Sequence, residues 1–255
     1  MNYYDRYVHG HHQEVWDELM SIGVRVREET IYLNALSVVN ETISRAMHNI
    51  ESIISKLQES GYLFAYPESV FVPADQEDMA YLHESEERAG TIPMSLRCWF
   101  EMIKEVDLTG THPLWQVRGS KVNFMKEDKV LVSQYQRASV LERPVVDTKA
   151  LSITNQYLVF YGERYNDGID DKVGISIMED DVLSYGSIRG SSEIICPSST
   201  ADGFFREPKL NIAPTFIEYL RRSFEWGGFP GFANLSEELR PIEMLNYLRE
   251  GLLPI

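Results

Sequence analysis

Cysteine is scarce in this chain: Cys98 and Cys196 are the only two in 255 residues. A disulfide framework at this size would need more, and neither cysteine belongs to a CxxC pair. Cys98 sits in the apolar run Leu96-Arg97-Cys98-Trp99-Phe100, a setting that predicts a buried structural thiol. Long hydrophobic runs are absent too; none approaches the ~20 residues needed to span a bilayer. The opening Met1-Asn2-Tyr3-Tyr4-Asp5-Arg6-Tyr7 lacks the basic region and apolar core of a signal peptide. The expectation is a cytoplasmic protein with no membrane partner. Basic charge is in short supply: 24 Lys+Arg face 39 Asp+Glu, a net charge of −15. Duplex nucleic acid is gripped by neutralising phosphates with Lys and Arg, so a nucleic-acid partner is not expected. A basic protein partner is, because opposite fields steer encounter. Finally, there is no GxSxG, HExxH or GxxxxGK[ST]. No catalytic residues and no cofactor are expected.

Apolar residues make up 44% and charged residues 25%, which suits a folded globular chain and excludes wholesale disorder. The acid is unevenly spread. Residues 1–90 hold 16 Asp+Glu against 6 Lys+Arg, a net of −10, whereas residues 91–150 hold 7 against 9, a net of +2. This shift places a boundary near Gly90. The organisation read from it is an acidic helical region over 1–90 packed on the core, an α+β core over 91–230, and a helical tail over 231–255.

Helical spacing dominates the first third. Val15, Trp16, Leu19 and Ile22 predict a helix over 11–22 stopped by Gly23. A longer helix is predicted over 34–60: Leu36, Ile43, Ile50 and Leu57 repeat every seven residues, and Val39, Ala46 and Ile53 fill the second set. The segment 62–72 is aromatic and Pro-bounded and predicts one short strand. Asp75 caps a third helix with Met79, Leu82, Glu86 and Ala89 on one face. Pro93 introduces a fourth over 94–106. Three β-like runs follow, at 129–132, 156–161 and 173–178, the last two suited to a long-looped hairpin. Pro214 is read as the first residue of a helix carrying Phe216, Ile217, Leu220 and Phe224. Gly227-Gly228 stops it, and a final helix spans 242–249. The fold class is α+β, with a bent mixed or antiparallel sheet flanked by helices. No helical pattern alternates with the strands, which argues against a doubly wound parallel sheet.

Three clusters could carry chemistry. His9-Gly10-His11-His12 offers imidazoles for a transition metal, and with Glu14 it defines the alternative reading, a metal-dependent hydrolase. A metal site needs three or four ligands held in geometry, and His48, His83 and His112 are scattered, so no metal is expected. Asn166-Asp167-Gly168-Ile169-Asp170-Asp171 fails the EF-hand order, because the sixth residue is Asp171 and the twelfth is Ile177. It reads as a solvated turn. Asp107 and His112 with Ser95 or Cys98 form a trio whose spacing carries no mechanism.

The segment Ile92-Pro93-Met94-Ser95-Leu96-Arg97-Cys98-Trp99-Phe100, followed by Val106-Asp107-Leu108-Thr109-Gly110, resembles the opening motif of the SUKH superfamily. That superfamily includes the yeast cell-wall-synthesis regulator and many bacterial immunity proteins. Thr109-Gly110 stands where the family often has Asn-Gly. The closing segment, Phe216 to Leu220 and Trp226 to Gly231, resembles long bacterial relatives. The likeness covers about 91–230 and implies a single α+β domain that binds and neutralises a toxin, often a nuclease. It implies no catalytic residues. The contacts expected for a basic partner are the acids least suited to burial: Glu84, Glu86, Glu87, Asp170, Asp171, Glu179, Asp180 and Asp181.

Overall fold

A single long helix organises the structure. The computed structural model describes residues 2–112, 151–154, 173–176, 193–196, 198–205, 214–234 and 237–255. The chain opens with α1 (Tyr3–Val8) and α2 (His12–Ser21), followed by a 3-10 turn at Gly23–Arg27 and then α3 (Glu29–Glu59). Of the seven-residue pattern, Val39, Ile43, Ala46, Ile50, Ile53 and Leu57 are fully buried and Leu36 is half-buried. The stripe is therefore a core face. α3 starts earlier than residue 34 because α1 packs on its first turns: Asn34 Oδ1 accepts the amide of Tyr3 at 2.7 Å. α1 itself is capped by Asn2, whose side chain accepts the Asp5 amide at 2.7 Å. Six residues are too few to show a hydrophobic period, which is why the sequence pattern misses it.

The 62–72 region yields two short strands rather than one, β1 (Leu63–Phe64) and β2 (Val72–Pro73). α4 (Gln76–Ala89) follows, then α5 (Met94–Met102), β3 (Ile103–Asp107) and β4 (Gly110–Thr111). The helix predicted over 94–106 thus ends at Met102. Ile103 and Val106 are three apart and mimic a helical face. They are instead buried strand residues, because β3 pairs with β2 on one side and with β5 (Ser152–Thr154) on the other. Tertiary pairing overrides the local period. β1 pairs with β4, and β6 (Val173–Ser176) with β7 (Glu193–Cys196). Every described pair is antiparallel, and the fold is α+β. The predicted strands at 129–132 and 156–161 lie outside the described residues.

α6 (Phe216–Glu225) and α7 (Ile242–Arg249) complete the chain, with 3-10 turns at Pro230–Asn234 and Glu237–Leu239 between them. Pro214 is not the first residue of α6. Thr215 is the N-cap, its hydroxyl accepting the Glu218 amide at 3.3 Å while Glu218 Oε2 accepts the Thr215 amide at 2.7 Å. This capping box leaves Pro214 outside the helix, where its carbonyl accepts the Phe205 amide. α6 ends as predicted at Gly227-Gly228. Gly228 has φ +92°, and a Cβ there would lie 2.8 Å from Leu108 Cδ1. Only glycine suits that backbone and that space. One buried cluster runs from Tyr7 through α3, α5, β3 and α6 to Ile255, on both sides of Gly90.

Candidate functional site

α4 carries Glu77, Asp78, Glu84, Glu86 and Glu87, and its start is firmly built. The Asp75 side chain accepts the amides of Glu77 at 2.8 Å and Asp78 at 3.0 Å, and Asp78 reaches back to the Asp75 amide. The helix buries Asp78, Leu82 and Ser85, one stripe at spacings of four and three. Of the face expected from sequence, Leu82 is buried and Glu86 half-buried, but Met79 is 39% exposed. Ion pairs fasten the helix to α5 and β3. Glu86 meets Arg97 at 3.2 Å, Asp78 meets Lys104 at 3.0 Å, and Arg97 also holds Glu101 at 2.9 Å.

Outward stand Glu77, Glu84 and Glu87, with Met79 and Tyr81 exposed among them. Glu86 and Glu87 fall in the last turn, where the helix dipole disfavours negative charge. Arg97 compensates the first. The second faces His83 at 3.5 Å and keeps 69% of its side chain in solvent. Of the acids expected to contact a partner, Glu84 and Glu87 are exposed, and Glu86 is engaged with Arg97 at only 17% side-chain exposure. Asp170, Asp171, Glu179, Asp180 and Asp181 lie outside the described residues.

The histidines do not converge. His9 Nδ1 lies 2.6 Å from the Asp5 carbonyl, and His11 Nδ1 lies 3.9 Å from Glu14. His12 Nε2 is 2.8 Å from Arg45 Nη1. That guanidinium donates, so the imidazole nitrogen accepts and His12 is neutral. Burial, reinforced by Arg45 and Arg221, lowers the His12 pKa. A nitrogen turned toward a guanidinium is not placed to ligate a cation. Among the described residues no group of three His, Cys, Asp or Glu side chains could hold a metal.

The catalytic trio does not assemble either. Asp107 Oδ1 accepts the Thr109 amide at 2.8 Å, and His112 Nε2 meets the Ser60 carbonyl at 3.0 Å. Burial pushes the Cys98 thiol up to about 12, and its Sγ lies 2.9 Å from Asn40 Oδ1. Burial that favours the protonated thiol suits a structural cysteine rather than a nucleophile. Ser95 donates to Asp202, a contact across 107 positions that no spacing rule could find. Asp202 also accepts the amides of Gly203 and Ile217, each at 2.9 Å. Burial pushes this carboxyl up, while donors from Ser95, Ile217, Thr215 and Gly203 pull it down. The carboxylate sits at the starts of both α5 and α6, where the helix dipoles favour it.

No helix among the described residues is long and apolar enough to cross a membrane. Comparison of the chain with protein-family models, with curated proteins and with solved structures finds no match.

Proposed function

We propose that this chain is a non-enzymatic, cytoplasmic protein-binding module of the SUKH type, an immunity protein that neutralises a basic toxin such as a nuclease. The observation that carries the reading is the exposed side of α4. Glu77, Glu84 and Glu87 stand there with Met79 and Tyr81, on a helix whose inner side is pinned by Asp78–Lys104 and Glu86–Arg97. Of these acids Glu87 stands in the last turn, where the helix dipole disfavours it. An electrostatic partner is a reason to keep such an acid on an exposed face. Apolar side chains among the charges supply the contact area that charge alone lacks.

A nuclease cleft is basic because it must hold phosphates. An acidic helix laid across it replaces the phosphate field and blocks access. The test uses the protein encoded by the adjacent gene. The proposal expects a stoichiometric complex with this chain and loss of the partner's toxicity or nuclease activity. If the adjacent product is acidic, or is unaffected by a molar excess of the chain, the reading is wrong.

A further inference from the structure

We infer that the segment following α7, Glu250–Ile255, occupies a groove built to read an extended peptide main chain, and that the groove accepts such peptides from outside. The inference is independent of the acidic face of α4.

The segment has no secondary structure beyond a turn at Gly251. Its amides bond back to α7 only near its start: Glu250 N–H to the Asn246 and Tyr247 carbonyls at 3.1 and 3.3 Å, and Leu252 N–H to the Arg249 carbonyl at 3.2 Å. Side chains of distant elements serve its Glu250, Leu253, Pro254 and Ile255 carbonyls and its Leu253 amide. Asn49, fully buried in the middle of α3, holds Leu253 by both polar groups: its Nδ2 donates to the Leu253 carbonyl at 2.8 Å and its Oδ1 accepts the Leu253 amide at 2.7 Å. One turn earlier on the same helix, Arg45 Nη1 donates to the Pro254 carbonyl at 3.1 Å. Two turns later, Lys56 donates to the Glu250 carbonyl. Arg221 of α6 donates its Nε–H to the Ile255 carbonyl at 2.8 Å.

Positions 45, 49 and 56 share one face of α3, so a polar ladder runs along the helix and reads an adjacent main chain at intervals of one to two turns. A primary amide that both donates to and accepts from one residue fixes the register of an extended chain without regard to its side chain. Burial of Asn49 gives these bonds weight, because its amide has no water to turn to. Of the segment's side chains, Leu253 is 41% exposed and Pro254 is exposed, whereas Leu252 packs half-buried against the core and Ile255 is sunk to 7% exposure. The ligand class is therefore an extended peptide with an aliphatic side chain at the Ile255 position, and the chain's own segment is its resident occupant.

The experiment uses the full chain. Ile255→Asp places a charge where the aliphatic anchor sits and expels the segment while keeping its covalent attachment. A fluorescein-labelled peptide of sequence Glu-Gly-Leu-Leu-Pro-Ile is titrated against wild type, Ile255→Asp, and Ile255→Asp with Asn49→Leu, and binding is read by anisotropy. The expected result is binding to Ile255→Asp at least ten-fold tighter than to wild type, lost again in the double variant. Equal binding to wild type and Ile255→Asp, no binding to folded Ile255→Asp up to millimolar protein, or equal binding to the double variant would overturn the inference. Failure of Ile255→Asp to fold would overturn it as well, since the segment would then be core rather than a separable occupant. Hydrogen exchange on wild type gives a second reading. The Leu253 amide should exchange at least ten-fold faster than the central amides of α3; exchange at the same rate would mean that the segment opens only with the whole fold.

Discussion

Asp202 accepts the amide of Ile217 at 2.9 Å and the hydroxyl of Ser95 with the same carboxylate. A side chain from an irregular segment thereby joins the first turns of α5 and α6. Asp202→Asn keeps one acceptor but turns an amide NH2 group toward a backbone N–H or a hydroxyl. The change should lower stability by about 1–3 kcal/mol, the cost of a buried polar group left unsatisfied. Urea denaturation measures this; a more stable Asp202→Asn would mean that desolvation, not hydrogen bonding, dominates at the site.

Trp99 is fully buried and meets Phe216 edge-on with ring centroids 5.4 Å apart. Trp99→Ala should cost about 3–5 kcal/mol. Its Nε1 has no hydrogen-bond partner among the described residues. Trp99→Phe keeps an aromatic ring but leaves part of the site empty, so it should cost less than Trp99→Ala. A loss under about 1 kcal/mol for Trp99→Ala would remove this residue from the core.

Ile50→Asp buries an unpaired charge in the seam of α3, against residues from both ends of the chain. The variant should lose its folded state, seen as collapse of the helical circular-dichroism signal. Wild-type behaviour would contradict the burial of that face.

The α3 seam was legible because seven-residue spacing over a 31-residue helix leaves no competing pattern. The Asp75 cap and the Gly227-Gly228 stop were legible for a similar reason, since each rests on local chemistry. Other features depended on distant partners. Ile103 and Val106 fit a helix until β2 and β5 supply their hydrogen bonds. The inner face of α4 was legible at Leu82 but not at its first turn, where Asp78, a charged residue, turns inward to meet Lys104 at 3.0 Å while Met79 turns out. Asn49 carried a faint signal, a polar side chain beside Ile50 on an apolar stripe. Its partner, Leu253, lies 204 residues away, beyond the reach of any periodicity.

His12 gives the fold a pH dependence whose sign follows from its neighbours. Its pKa is lowered by burial, Arg45 and Arg221, so the folded state favours the neutral ring. The stability this provides is complete above the ordinary histidine value of about 6.5. It is lost as pH falls below that value toward the folded one. The melting temperature should fall between pH 7 and pH 5.5, a window above the ordinary carboxylate range. His12→Gln, which cannot take up a proton, should flatten that fall; an unchanged slope would assign the dependence to another group.

The central claim is electrostatic recognition of a basic protein by the outward face of α4, and the association rate measures it most directly. Stopped-flow mixing with the product of the adjacent gene, from 0.01 M to 0.1 M salt, shortens the Debye length from ~30 Å to ~10 Å. The on-rate of the wild type should fall steeply over that range while the off-rate stays nearly constant. Reversing Glu77, Glu84 and Glu87 to Lys should slow association at low salt and remove most of the salt dependence. The same change should leave stability almost intact, since exposed charges contribute little to folding. An on-rate indifferent to salt, or a triple variant that associates as fast as wild type, would contradict the account.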